Sequence, residues 1–279
     1  MNIARLTNEY DLVAPLYGCS ADELSARDSA NHRSVGRWVV ATNGTAVAAV
    51  MAWVRPDDRV FLSFVGDADV RGRLGRAASI DLDRKVHTLA DGDDVATLAS
   101  LTDVGFVTEM ESEAFVFAFD AALRWLRRGE VPPGFALVPA HTVDEDRLFA
   151  LDNRLRCDVP GSDGWTGDRA WFHEELTESP PYDPTAYLVA LHEPSGEYAG
   201  LVRIWRNRSG PRLGLIGVLP EYRRTMLAAS LLRHALHAAA AWGHPTFTTE
   251  TSISNRVIYP RLKRLGAERT GRFLQMVLP

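Results

Sequence analysis

The amino-acid sequence of 279 residues contains an internal repeat. An apolar, strand-like run that includes Trp53 recurs around Trp205, 152 residues later, and each run follows a shorter apolar run. The same offset pairs Arg71 with Arg223, each at the start of a predicted helix. Chance similarity within one large α/β domain is the alternative, but the matching segments occur in the same order in both halves. A repeat of this length predicts two copies of one domain.

The domain boundary follows from the end of the repeat and from a linker between the halves. Gly105 and Gly266 each follow a predicted helix and are 161 residues apart, so the second half is nine residues longer up to this point. The segment RRGEVPPGFALVP at 127–139 combines charged residues with glycines and prolines, which interrupt regular structure. We therefore predict a first domain at residues 1–130 and a second domain at residues 131–279.

The order of predicted elements is the same in both halves. Each half reads as a strand, helices, two or three antiparallel strands, a helix, a strand, a helix and a final strand. In the second half, a buried strand at 212–218 leads into a helix from 224 to 242, a strand at 247–253, a short helix at 255–266 and a strand at 272–278. The order predicts an α/β fold with a mixed (α+β) sheet: two tandem domains, each with a mostly antiparallel central sheet flanked by helices.

Composition and charge exclude several classes of protein. Hydrophobic residues at 46% and charged residues at 24% are typical of a globular chain. The net charge of -5 provides no basic surplus for binding nucleic acid or an anionic membrane. Cys19 and Cys157 are too few for a disulfide framework, and no apolar run of transmembrane length or signal segment occurs. We expect a cytoplasmic protein without nucleic-acid or membrane partners.

The segment LGLIGVLPEYRRTMLAASLL at 213–232 carries the strongest signal of chemistry. A buried strand ends in a turn at Pro220, and a long helix follows with Arg223 and Arg224 at its start. The first N–H groups of a helix lack partners within the helix and lie at its positive end, so this turn is suited to binding an anion. Two arginines strengthen that prediction.

This segment resembles the acetyl-coenzyme A loop of the GCN5-related N-acetyltransferase (GNAT) superfamily, which follows the pattern V-x-P-x-x-R/Q-x-x-G-x-G/A. Val218, Pro220, Arg223 and Ala228 fit the pattern, whereas Met226 stands where the family has glycine. In the family, backbone amides of this turn bind the pyrophosphate of the acyl donor. The resemblance implies acetyl-CoA as a substrate of the second domain.

A second segment, SISNRVIYPRLKRLGA at 252–267, resembles a later motif of the same family, N-x-x-A-x-x-x-Y-x-x-x-G-F. Asn255 and Gly266 have the expected separation of eleven residues, and the family places this Asn near the pantetheine arm. The family's Tyr, which protonates the departing thiolate, falls on Leu262, which cannot donate a proton. Tyr259, about one helical turn earlier, is a candidate acid, with packing or a surface role as alternatives. The resemblance assigns acyl-donor binding to Gly217, Val218, Arg223, Arg224, Thr225, Met226, Leu227, Ala228 and Asn255.

The first half departs from the family pattern at the same positions. Leu74 and Arg76 replace the two small residues of the cofactor loop, Asp94 replaces the Asn and Leu101 replaces the Tyr. This half is predicted to be a degenerate copy that keeps the fold without a cofactor. Since such a copy could replace the second subunit of dimeric relatives, both a monomer and a homodimer remain open.

Acetyl transfer to an amine also needs a base and a polarised thioester carbonyl. In the family a backbone N–H of the central strand, here near Gly217 or Val218, polarises the carbonyl, whereas the strand at 212–218 lacks the carboxylate that many relatives use as the base. Asp158, followed by the turn-forming residues Pro160 and Gly161, is our first candidate base. Glu250 is the second, because strand alternation can direct it into the cleft or into solvent. Three further polar residues of the loop at 151–176 are more often helix caps or surface groups: Asp163, Asp168 and Glu174. His173 is also possible, but a lone His on a Trp-rich helix is more often packed and hydrogen-bonded than catalytic.

Two other features carry no function in this interpretation. His234 and His237 lie three residues apart on a predicted helix, but no third ligand is in reach, so no metal site is expected. Cys157 lacks a neighbouring base motif, and a structural thiol is the simpler interpretation.

The sequence therefore predicts an acetyl-CoA-dependent N-acetyltransferase that acts on an amine of a small molecule, such as a metabolite or an antibiotic, by direct transfer within a ternary complex. The alternative is a catalytically silent acyl-CoA-binding or regulatory protein, because the usual Gly, Tyr and strand carboxylate are replaced. A third hypothesis, acyl transfer from an aminoacyl-tRNA, requires a basic channel that the net charge of -5 does not favour.

Overall fold

The computed structural model describes residues 2–31, 33–160, 164, 166–177, 181–264 and 266–279. The chain forms two compact units. The first comprises Met1–Glu111 together with Gly271–Pro279, and the second comprises Ser112–Thr270.

The first unit contains a mixed sheet with helices on both faces. Its helices are α1 (Tyr10–Val13), α2 (Ala21–Ala30), α3 (Arg71–Leu82) and α4 (Val95–Asp103). Its sheet has the order β1-β2-β3-β4-β5-β12, in which only β4 and β5 are parallel neighbours. The strands are β1 (Asn2–Arg5), β2 (Ser34–Thr42), β3 (Thr45–Val54), β4 (Val60–Gly66), β5 (Val86–Asp91) and most of β12 (Glu268–Leu278).

The second unit repeats this architecture. Strand β6 (Val107–Ala118) enters it, and the helices are α5 (Phe119–Trp125), α6 (Glu145–Cys157), α7 (Arg169–Thr177), α8 (Leu227–Ala240) and α9 (Tyr259–Arg264). The remaining strands are β7 (Phe135–Pro139), β8 (Tyr187–His192), β9 (Glu197–Asn207), β10 (Gly210–Val218) and β11 (Thr246–Ser252). The strand order is β7-β8-β9-β10-β11-β6, with only β10 and β11 parallel. The predicted fold class is confirmed.

Helices α8 and α6 cover opposite faces of the second unit's sheet. Apolar residues of α8 recur four positions apart, at Leu227, Leu231 and Ala235, and are fully buried in the core on one face. Leu148 and Leu155 of α6 are buried in a separate core on the other face. Burying each leucine stabilises the fold by about 1.5–3 kcal/mol, so both helices are held firmly against the sheet.

The compact units do not coincide with the predicted domains 1–130 and 131–279. Strand β12, at the end of the chain, pairs antiparallel with β5 from Phe273–Asp91 to Leu278–Val86 and completes the first unit's sheet. Leu274 and Met276 are 7% and 3% exposed in the first unit's core. Because β12 is far along the chain from the strands and helices it packs against, local sequence signals could not assign it to this unit.

Three predicted elements of the second half differ in extent from the structure. The helix predicted from 224 starts at Leu227, because Arg224 has φ +72°, which is incompatible with a right-handed helix. The helix predicted at 255–266 is shorter, at Tyr259–Arg264. Strand β10 was predicted to be buried, but among its residues Pro211 and Val218 are buried while those between them are partly or fully exposed. Along the described residues, no helix is long and apolar enough to cross a membrane.

Candidate functional site

The two parallel strands of the second unit separate partway along their length. β10 and β11 contain nine and seven residues, but they pair only at Arg212–Thr248 and Leu213–Thr249. β10 then continues to Val218 with its other edge paired to β9, and no further pairing with β11 occurs along these described strands. A gap therefore opens between the carboxyl-terminal halves of β10 and β11.

The chain leaves this gap through a tight turn that leads into α8. One turn of 3-10 helix, Pro220–Tyr222, follows β10, and Arg224 then adopts a left-handed conformation with φ +72°. The Thr225 hydroxyl donates to the Tyr222 carbonyl at 2.8 Å and accepts from the Leu227 N–H at 3.3 Å. The turn thus directs the N-terminus of α8, with its partial positive charge, toward the end of β10.

Met226 occupies its position without strain. As the N-cap residue of α8 it has φ -78°, and its side chain is 52% exposed. Glycine is therefore not required there for backbone conformation, and the residue that takes the left-handed conformation is Arg224 instead. In the first turn of α8 Leu227 is buried, whereas the small residue Ala228 is exposed on the outer side of the helix.

Arg223 and Asp158, which the sequence analysis placed in different roles, contact each other. Arg223 Nη2 donates to Asp158 Oδ2 at 2.5 Å, and its Nε donates to the Val218 carbonyl at 3.0 Å. A second ion pair, Arg154 to Glu221 at 2.5 Å, joins the same two elements, α6 and the turn. Arg223 thus stabilises the turn through its bond to Val218, and its ion pair with Asp158 connects the turn to the C-terminus of α6.

Gly217 allows α6 to lie directly on the end of β10. A Cβ atom at this position would be 2.9 Å from Leu155 Cδ2, so a larger residue would require the Leu155 side chain to shift. Gly217 and Val218 are therefore the β10 residues whose backbone borders both the gap and the turn.

Glu250 lies on β11 at the gap. Phe247 of β11 packs in the core under α8, so alternation directs Glu250 to the opposite face, on the side of α6 and α7. Ser112 donates to Glu250 Oε1 at 2.6 Å, and Arg212 Nη2 lies 3.7 Å from Oε2. The carboxylate side chain is 27% exposed, so a ligand can reach it.

Tyr259 lies on the other face of the sheet. Its hydroxyl donates to Glu113 Oε2 at 2.7 Å, and its ring packs edge-on against Phe115 at 6.1 Å. Leu262, which stands at the position of the family's Tyr, is 7% exposed in the same core. The two candidate proton-transfer groups, Glu250 and Tyr259, are therefore on opposite faces of one sheet.

Asn255 organises the connection between β11 and α9. Its Oδ1 accepts from the Ile258 N–H at 3.2 Å and its Nδ2 donates to Thr251 Oγ1 at 3.2 Å. Its own carbonyl accepts from the Tyr259 N–H at 2.9 Å. Both polar groups of the Asn255 side chain therefore form hydrogen bonds within the turn that precedes α9.

The remaining polar candidates lie around α7. Asp168 accepts from the Trp171 N–H at 2.7 Å and caps the helix, and His173 Nδ1 lies 3.0 Å from Glu145 Oε1. Glu174 also lies on α7. Asp163, together with Trp165, falls outside the described residues.

Residues 151–266 match the model of the acetyltransferase (GNAT) family. The matched segment, which is less than half of the chain, is therefore similar to that family. No curated protein sequence matches the chain at a significant level. The match covers the gap, the turn, α8 and α9, which are the elements on which the resemblance was based.

Solved structures extend the similarity of fold to nearly the whole chain. A GCN5-related N-acetyltransferase from Sphaerobacter thermophilus has a TM-score of 0.69 at 16% identity, over 99% of this chain and 95% of that one. A tandem GNAT protein from the clavulanic acid biosynthesis pathway has a TM-score of 0.66 at 17% identity, over 99% and 98%. A GCN5-related N-acetyltransferase from Kribbella flavida has a TM-score of 0.57 at 16% identity, over 92% and 95%. At such identities the similarity shows the fold alone, and it confirms the predicted tandem architecture.

A buried charge cluster in the second unit was not predicted from the sequence. Arg203 of β9 is 4% exposed and its Nη1 lies 3.1 Å from Glu175 Oε2 and 3.7 Å from Asp152 Oδ1. Arg156 pairs with the other oxygen of Asp152. Burial raises the pKa of Glu175, while Arg203 and Arg156 oppose that effect. An arginine in the middle of the apolar run YAGLVRIWR was the signal that could have revealed this cluster.

The corresponding turn of the first unit is occupied by its own side chains. Arg71 Nη1 donates to Thr97 Oγ1 at 2.7 Å and to Asp94 Oδ2 at 3.2 Å, and its Nη2 donates to the Gly66 carbonyl at 2.9 Å. Hydrogen bonds from the hydroxyl and N–H of Thr97 hold the pKa of Asp94 below its usual value. The Arg71 guanidinium therefore forms hydrogen bonds within the first unit.

Helix α4 also closes the N-terminus of α3 in this unit. The Gly72 N–H donates to Ser100 Oγ at 3.0 Å, and a Cβ at Gly72 would lie 1.8 Å from the Ser100 carbonyl oxygen. Because the two helices touch at this point, α4 covers the first turn of α3.

Proposed function

We propose that the protein is an acetyl-CoA-dependent N-acetyltransferase that transfers an acetyl group to the amine of a small molecule by direct attack within a ternary complex. One observation carries the proposal: the gap between β10 and β11 leads without interruption into the turn that precedes α8. A linear thioester substrate with a phosphate-bearing end requires this combination of a narrow opening and an anion-binding helix terminus.

The acyl-donor side of this proposal uses mainly backbone groups. The Leu227 N–H donates to Thr225 Oγ1, so the remaining N–H groups of the turn and of the first residues of α8, among them those of Met226 and Ala228, would donate to the pyrophosphate. The Arg224 side chain is exposed beside them. The relaxed φ of Met226 supports the fit, because its side chain does not need to enter the turn. Along the gap, the backbone N–H of Gly217 or Val218 is placed to polarise the thioester carbonyl.

Geometry favours Glu250 over Asp158 as the general base. Asp158 shares its carboxylate with Arg223, so one of its oxygens is already engaged in an ion pair. Glu250 borders the gap, accepts a hydrogen bond from Ser112 and lies farther from its nearest arginine, at 3.7 Å. In the transfer, the amine nitrogen forms a bond to the acyl carbon, the carbon–sulfur bond breaks, and Glu250 accepts the proton that the nitrogen loses.

The departing thiolate requires a proton, and Tyr259 is the candidate donor. Its hydroxyl proton is engaged by Glu113, and Leu262 fills the position of the family's Tyr in the core. These two observations favour the second candidate function, an acyl-CoA-binding protein without turnover, if Tyr259 cannot leave Glu113. Transfer without an acid remains compatible with the first candidate, because a thiolate is a good leaving group compared with an alkoxide or an amide.

The deciding experiment is calorimetric titration of the protein with acetyl-CoA and with CoA, followed by release of free thiol in the presence of a panel of primary amines. Binding together with amine-dependent thiol release is the expected result. Binding without any amine-dependent release would favour the silent binding protein. Failure of both ligands to bind would contradict both candidate functions.

A further inference from the structure

Trp205 of β9 covers the point at which β10 departs from β11. The pairing of β9 with β10 shifts register between Leu213 and Leu215, so Gly214 is displaced from the ladder immediately after the last β10–β11 pair. A Cβ atom at Gly214 would lie 2.6 Å from Trp205 Nε1 and 2.9 Å from Cδ1. The indole therefore rests on the bare backbone of Gly214 at the mouth of the gap, and it is partly exposed.

The buried charge cluster holds this indole in place. The Arg203 guanidinium stacks over the Trp205 ring at 4.6 Å from its centroid. Arg203 is itself fixed by Glu175 of α7 and Asp152 of α6, at 3.1 and 3.7 Å. Because two helices and a strand hold the arginine, the ring has little freedom to turn, and its orientation is set before any ligand binds.

Arg212 of β10 and Glu250 of β11 lie beyond Trp205 on the same face of the sheet. In the strand register Trp205 is opposite Arg212, which in turn pairs with Thr248 two residues before Glu250, and all these side chains are on the face of α6 and α7. The opening therefore has an aromatic wall on one side and the Glu250 carboxylate on the other, with the Arg212 side chain between them next to the glycine backbone.

We propose that Trp205 is a specificity-determining residue of the acceptor site and selects primary amines that carry an aromatic or bulky apolar group next to the amine. The proposal rests on the proposed function and names its substrate class. The amine is placed near the Glu250 carboxylate, while the apolar group stacks on the exposed part of the indole. A partly exposed aromatic surface beside a carboxylate is a combination that recognises cationic, apolar molecules.

The test measures the binding of two amines, phenethylamine and propylamine, to the CoA-saturated protein and to the free protein by calorimetry. Wild type should bind phenethylamine more tightly. Trp205→Ala should weaken phenethylamine binding about tenfold and leave propylamine nearly unchanged, while Trp205→Phe should retain most of the preference. Trp53→Ala, which changes the matching residue of the first unit, is the control and should have no effect on either amine.

Several results would overturn the proposal. These are an unchanged phenethylamine affinity in Trp205→Ala, equal weakening of both amines, or no binding of phenethylamine by wild type at millimolar concentrations. Should Trp205→Ala not fold, Gly214→Ala tests the same wall, because its new methyl group must displace the indole and reduce the preference. If the wild type does not bind CoA, the proposed function is contradicted instead. The amine titration of the free protein then tests the role of Trp205 separately.

Discussion

Arg223 Nη2 lies 2.5 Å from Asp158 Oδ2, so a residue expected to bind the acyl donor and a residue expected to act as base form one ion pair. Both side chains are about half exposed, at 50% and 45%. An ion pair with this exposure contributes about 0–1 kcal/mol to stability. Its main effect is therefore local: it closes the turn between β10 and α8 and connects that turn to α6.

We expect Arg223→Ala to weaken acetyl-CoA binding by about 1–2 kcal/mol, because the turn loses the contacts to Val218 and Asp158. Calorimetric titration measures the change. Arg71→Ala is the matched control from the first half of the repeat, and it should leave the affinity and the stoichiometry of one acetyl-CoA per chain unchanged. Equal effects of the two substitutions would contradict the assignment of the donor site to the second unit.

Glu250→Gln should reduce turnover by about 100-fold or more while acetyl-CoA binding is preserved, since glutamine can still accept the Ser112 hydrogen bond but cannot accept the amine proton. Thiol release under saturating donor is the readout. Asp158→Asn serves as the comparison and should reduce turnover much less. A larger loss of turnover in Asp158→Asn than in Glu250→Gln would indicate that Asp158 is the base.

The stability of the protein should depend on pH through Glu175. Burial raises its pKa in the folded state, so the folded state holds the proton more tightly than the unfolded state does. The favourable contribution is complete below the unfolded carboxyl pKa, about 4.3, and is lost as the pH rises through the folded pKa. Glu175→Gln should remove this decrease, which denaturant unfolding at a series of pH values can measure. An identical pH dependence in both proteins would exclude Glu175 as its source.

Met276→Ala should destabilise the first unit by about 2–5 kcal/mol, because its side chain is 3% exposed in that unit's core. Val277→Ala, on the neighbouring and less buried position of the same strand, should cost less. Denaturant unfolding of the full chain compares them. Equal costs would indicate that β12 stabilises the unit through its backbone pairing alone.

Much of the site could be predicted because its signals are local. Val218, Pro220 and Arg223 are within six residues of one another, so their pattern survives in the sequence whatever surrounds it. The same pattern could not show that Arg224 takes the left-handed conformation, since that choice depends on how the turn is held by Val218 and α6. The helix start was accordingly predicted three residues too early.

The sequence alone determined the tandem repeat, the order of strands and helices in each half, and the strand–turn–helix that suits an acyl donor. Each of these follows from hydrophobic periodicity and short-range turn chemistry, which act between residues close along the chain. Only the tertiary structure decided that Arg223 pairs with Asp158, that Glu250 and Tyr259 lie on opposite faces, and that β12 completes the first unit. These contacts join residues between 65 and 192 positions apart, where strand register and helix packing rather than local pattern choose the partner.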